Sequence, residues 1–139
     1  MIRNVAAIIG GIVIAFVTVM LVDMLNHMVY PPPAGLDFSD PEAIRPYLDT
    51  LPIGAFLLIM ASSVVAAFVG TLFACLVGTI RPQNCAVIVG GMVFAATVAN
   101  FIMIPHPLWL AIATLLGVIV SAWLAVQVAG GPVPAEETD

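Results

Sequence analysis

Four long apolar runs leave this chain very little choice of fold. They extend roughly from Val5 to Met28, Ile53 to Thr79, Cys85 to Ile104 and Leu108 to Ala129, and together they hold one charged residue, Asp23. At 1.5 Å rise per residue, about 20 helical residues cross the roughly 30 Å of bilayer hydrocarbon, so each run is long enough to span. Within lipid the backbone N–H and C=O groups must bond inside the segment, which makes each run a helix. The fold class is therefore all-α membrane, a four-transmembrane-helix antiparallel bundle. It forms one domain over residues 1–129, with helices at about 4–30, 52–80, 84–104 and 107–129. Four spans return the chain to the side it started from. Tight breaks around Arg81-Pro82 and at Pro105-His106-Pro107 make consecutive helices antiparallel neighbours.

Charge is scarce, with eleven Asp, Glu, Lys and Arg among 139 residues, and it decides orientation by a narrow count. Arg3 and Arg81 fall on one side and Arg45 on the other, so the positive-inside rule puts both termini in the cytoplasm and the loop 31–51 in the periplasm. The first apolar run is longer than a secretory signal core and ends without a small-x-small cleavage pattern, which reads as a retained helix. The formal net charge of −5 resides mostly in the long loop and the tail, and three arginines exclude nucleic acid as a partner. Cys75 and Cys85, near the cytoplasmic helix ends, read as reduced, inert thiols. Residues 130–139, GGPVPAEETD, read as a disordered acidic tail.

Polar chemistry concentrates between Asp23 and Pro52, which holds six of the eleven charged residues and six of the eleven prolines. Pro31-Pro32-Pro33 must end the first helix near Tyr30, since proline offers no donor and bends the preceding residue out of the helical region. Ser39-Asp40-Pro41-Glu42 then signals a helix start, with Ser39 or Asp40 as cap and Pro41 in the first turn. Ile44, Tyr47, Leu48 and Leu51 recur at helical spacing. They predict a short interfacial helix of about two turns, limited by Pro46, with its apolar face on the membrane surface.

Two patterns bear on assembly. NVAAIIGGIVIA from Asn4 lies over NCAVIVGGMVFA from Asn84 with Asn, Gly-Gly and Ala at identical offsets, so the bundle can be read as two duplicated helical hairpins or as a coincidence of a small alphabet. Small residues recur every four positions at Gly70, Ala74 and Gly78, at Gly91, Ala95 and Ala99, and at Ala113, Gly117, Ser121 and Ala125. Such ladders let helices approach closely in lipid. They serve packing within the bundle and leave open a homo-oligomer or another membrane-protein partner beside the lipid bilayer itself.

One constellation could carry chemistry. Asp23, Asn26, His27 and Tyr30 fall on one stripe of the first helix, at spacings of three, four and seven. Asn100 on the third helix and His106 in the following turn approach the same membrane face, so helices one and three as neighbours would gather all six into one polar patch. A carboxylate beside imidazoles can tune a proton site or hold a metal, but the spacing matches no ligand motif, and no metal or other cofactor is assigned. The plainer reading makes Asp23 to Tyr30 interfacial anchors. Asn100 is expected inside the hydrocarbon, bonded to Asp23, His27 or a backbone carbonyl. Ser62, Ser63, Thr71, Thr97, Thr114 and Ser121 can bond back to their own helices and are given no role, and Trp109 reads as an anchor in the outer interface.

His27-Met28-Val29-Tyr30-Pro31-Pro32-Pro33 and Met103-Ile104-Pro105-His106-Pro107-Leu108-Trp109, with Leu51-Pro52-Ile53-Gly54 between them, give the chain a further likeness. It resembles an uncharacterised group of small bacterial four-helix inner-membrane proteins. The resemblance implies multi-pass placement in the bacterial inner membrane and carries over no function and no functional residue. The sequence thus supports a non-enzymatic structural or accessory subunit, with a small homodimeric proton-linked transporter as the alternative.

Overall fold

The computed structural model describes residues 2–130, and the acidic tail from 131 onward lies outside the described residues. Helices α1 (Ile2–Val29), α2 (Pro41–Thr50), α3 (Ile53–Val77), α4 (Pro82–Met103) and α5 (Leu108–Val128) make up the chain, and all except α2 are long and apolar enough to span a membrane. One side of the bundle carries α2 and the Pro-His-Pro turn and is here the loop side. The other, terminal side carries Ile2, the turn at 78–81 and Gly130.

Helix α3 is the centre, with both α1 and α5 packed along it. The α1 contact is made by backbones. A Cβ on Gly11 would fall 2.6 Å from the Gly70 carbonyl oxygen, and one on Gly70 would fall 2.6 Å from the Gly11 oxygen. Ala7 and Ala15 flank Gly11 at one-turn spacing and are buried, as is Ala74 opposite. Without large side chains between them, the helices gain dispersion contacts that lipid cannot match. On the terminal side Asn4 secures the pair, its Oδ1 accepting from the Thr79 N–H and hydroxyl, each at 2.7 Å. Cys75 and Cys85 are both free thiols near this end.

Helix α4 leans on α3 through Cys85 and Val89, where it contains a wide π turn at Ala86–Gly90. Toward the loop side it stands apart from α1, and the two barely touch. Gly91, Ala95 and Ala99 face away from the bundle, and a Cβ on Gly91 would meet nothing within 4 Å. The aligned glycine pairs therefore differ in use, since α1 buries Gly11 and α4 buries Gly90.

Tyr30 ends α1 as the prolines require, and Asp40 is the cap of α2, its Oδ1 accepting from the Glu42 N–H at 3.0 Å. Helix α2 runs for ten residues with Pro46 inside it, longer than the two turns expected. Its apolar face does not rest on lipid. Ile44 and Leu48 are 2% and 7% exposed because they fold onto Phe56 of α3 and Leu110 of α5, so the helix caps the bundle. The Tyr47 hydroxyl donates to the Tyr30 carbonyl at 3.1 Å and pins this cap to the end of α1. Trp109 is half-exposed and meets Phe56 edge to face.

Candidate functional site

The gap between α1 and α4 is a cavity of about 380 Å³ on the loop side, with α3 as its back wall and α2 above it. Its deep part is apolar, lined by Ile12, Phe16 and Val19 of α1 and by Met92, Val93 and Ala96 of α4. Its mouth is polar, and five of the six candidate residues line it: Asp23, Asn26, His27, Asn100 and His106. They come together across a groove, Asp23, Asn26 and His27 on the α1 side and Asn100 and His106 on the α4 side, rather than through direct packing of the first and third spans.

Asp23 is half-buried, within reach of the Ser62 hydroxyl and near both imidazoles, His27 and His106. One turn on, the His27 ring donates its Nδ1–H to the Asp23 carbonyl at 2.9 Å, and Phe38 of the loop packs edge-on against it. His106 does the same in the Pro-His-Pro turn, with Nδ1–H donating to the Ile104 carbonyl at 3.0 Å and Phe101 at 5.1 Å between ring centroids. A carbonyl only accepts, so each Nδ1 carries a proton, and Nε2 of each ring is left without a protein partner, an acceptor when the ring is neutral. Burial holds the His106 imidazole below its ordinary pKa, partly offset by the Ile104 carbonyl and the Asp23 charge. The Asn26 Oδ1 is buried with no hydrogen-bond partner.

Two expectations change. Tyr30 does not line the cavity; it packs its hydroxyl over Gly54, where a Cβ would stand 2.5 Å away. Asn100 makes no side-chain hydrogen bond to Asp23, His27 or a backbone carbonyl among the described residues, because the separated helices leave its amide exposed in the groove. Three residues given no role also reach the cavity: Ser62, Ser63 and Thr97. Ser62 and Thr97 spend their protons on the Ile59 and Val93 carbonyls, at 2.8 Å each, as expected of hydroxyls in membrane helices. The adjacency of Ser62 and Ser63 midway along an otherwise apolar helix, and the placement of Thr97 one turn before Asn100, were the available signals.

No three His, Cys, Asp or Glu side chains stand close enough to share a metal ion among the described residues. What the site offers is a half-buried carboxylate, two imidazole acceptors and amide groups above an apolar slot. The chain matches no family model, and no curated protein or solved structure matches it.

Proposed function

We propose that this integral membrane protein binds a small amphiphile that enters the cavity between α1 and α4 sideways from the bilayer. The observation behind this reading is the division of the cavity into a polar mouth at the loop side and an apolar slot below it, in a space within the range of small-molecule sites. Such a shape matches a molecule with one polar end and one apolar end. The terminal half is closed where Ile8 and Ile12 of α1 pack against the cluster of Ala74, Cys85 and Val89, so the cavity opens toward one membrane face only. With the loop side periplasmic, this is the form a small transporter would take facing outward, and the cavity favours ligand handling over a purely structural role.

The same reading keeps the protein non-enzymatic. Ser62 donates to a helix carbonyl instead of an imidazole, so it is not prepared as a nucleophile. An accessory-subunit role stays as the second reading because Gly91, Ala95 and Ala99 form an exposed ladder suited to another helix.

A diazirine-bearing alkyl alcohol, photolysed with the protein in phosphatidylcholine nanodiscs and mapped by mass spectrometry, tests the site. Adducts should concentrate on Phe16, Val19 and Ala96 over Ile112 and Leu116, which are exposed on α5, and Ala96→Trp should remove the excess. Equal labelling of both groups would refute a cavity that holds amphiphiles.

A further inference from the structure

The mouth of the cavity is unbalanced in its hydrogen-bonding chemistry. Its charged and titratable groups are acceptors, the Asp23 carboxylate and, in the neutral rings, the Nε2 atoms of His27 and His106, beside the amides of Asn26 and Asn100, which both donate and accept. Neither lysine nor arginine lines the cavity, and the Thr97 proton is committed to the Val93 carbonyl. The nearest arginine in sequence, Arg45, sits on the exposed side of α2, 4.0 Å from Glu42. Above the mouth, the loop carries Asp37, Asp40, Glu42 and Asp49 against Arg45 alone, so its field draws cations toward the opening. An anionic head would meet Asp23 with no positive partner. A bare metal ion lacks a set of three ligands.

We infer that the cavity takes an amphiphile with a protonated amino head, whose N–H groups meet Asp23 and the imidazole Nε2 atoms while its tail runs down the slot between α1 and α4. This rests on the amphiphile site proposed above and names its ligand class. Charge-assisted N–H bonds to a carboxylate are the strongest contacts such a site can make, and the low-dielectric surroundings raise their worth. From Asp23 down to Ile12 the α1 wall is about 16 Å long at 1.5 Å per residue, enough for a single medium-length alkyl chain. Phe16, Phe38 and Phe101 add aromatic surface around the head and upper tail.

The test is binding of tritiated decylamine to the full-length protein in dodecyl maltoside micelles, read by scintillation proximity and competed with same-tail molecules. Decylamine should displace the label, decyltrimethylammonium should compete about tenfold or more weakly because it has no N–H to donate, and decanoate should not compete. Asp23→Asn should weaken decylamine by about tenfold or more. Phosphatidylethanolamine doped into the micelles separates two sources of the same chemistry: displacement assigns the amino head to a lipid, and no displacement assigns it to a free amine. If decanol or decanoate competes as well as decylamine, and Ala96→Trp abolishes all of them, the amino head is wrong and the amphiphile cavity stands. If Ala96→Trp leaves every probe unchanged, the cavity itself is wrong. The head-group comparison is made on the unmodified protein, so it holds even if a variant misfolds.

Discussion

Replacing Gly70 by alanine probes the contact that sets the whole arrangement. The added Cβ would stand 2.6 Å from the Gly11 carbonyl oxygen and 2.8 Å from the Ala15 Cβ, where ordinary contact begins near 3.4 Å. The helices must therefore part by about 0.8 Å, and neither obstacle can swing away, since one is backbone and the other is the first atom of a side chain. Overpacking of this kind costs about 1–3 kcal/mol, while alanine regains up to about 1 kcal/mol in helix propensity, so a net loss of about 1–2 kcal/mol is expected. Gly91→Ala gains the same propensity and meets nothing within 4 Å, so it should be neutral or mildly stabilising. Gly11→Ala added to Gly70→Ala should cost much less than it does alone, because the helices are already parted. The assay is the midpoint of reversible unfolding by dodecyl sulfate in mixed micelles, followed by tryptophan fluorescence. Gly70→Ala unfolding at the unmodified midpoint would refute the close approach of α1 and α3, and a Gly91→Ala loss equal to that of Gly70→Ala would refute the open face of α4.

Two further outcomes follow from the loop side. Because burial depresses the His106 pKa below 6.5, the unfolded chain binds a proton that the folded chain resists; stability is full above about pH 6.5 and declines below it, and His106→Gln should flatten that decline in unfolding midpoints taken between about pH 8 and pH 5. An unchanged slope in the variant would place the titrating group elsewhere. Ile44→Ala empties a site that is 2% exposed against Phe56 and Leu110, and should cost about 2–4 kcal/mol. The loss should appear as faster amide exchange in α2 with α1 and α3 still protected; exchange rising across the bundle would mean that α2 is no separable cap.

The spans were legible because hydropathy alone decides where a chain can cross lipid, and the end of α1 at Tyr30 and the Asp40 cap followed from proline and carboxylate chemistry. The period of Ile44, Tyr47, Leu48 and Leu51 was legible too, but not what covers it. An apolar face looks the same in sequence whether it meets headgroups or Phe56 and Leu110, so α2 was expected on the membrane surface and instead caps the bundle. The ladder Ala7, Gly11, Ala15 stands at one-turn spacing in the sequence, but nothing there ranks it above those of the other helices, although it brings the backbones of α1 and α3 together. At the site, the stripe from Asp23 to His27 was readable from helical spacing. The free amide of Asn100 was not, because its surroundings depend on how far α4 stands from α1.

Which residues α4 turns toward that gap is set by the π turn, which no residue type announces. Cys85, Val89, Val93 and Thr97 are all buried at a spacing of four, from one end of α4 to near the other. In a regular α-helix with 3.6 residues per turn, Cys85 and Thr97 would point about 120° apart, and α4 could not keep both against the bundle. One wide turn at Ala86–Gly90 takes up an extra residue, about 100° of rotation, and brings the two within about 20° of a single line. Residues beyond the turn are displaced by the same angle. Met92, Ala96 and Asn100, themselves at a spacing of four, thereby come to form the α4 wall of the cavity. Lipid supplies no hydrophobic force to close that gap, since hydrocarbon already satisfies both walls as well as a partner helix would. The polar mouth at Asp23, His27 and His106 can persist beside it because it lies under α2 at the loop-side surface, and an opening that is costly in a soluble core is sustained here by the solvent around it.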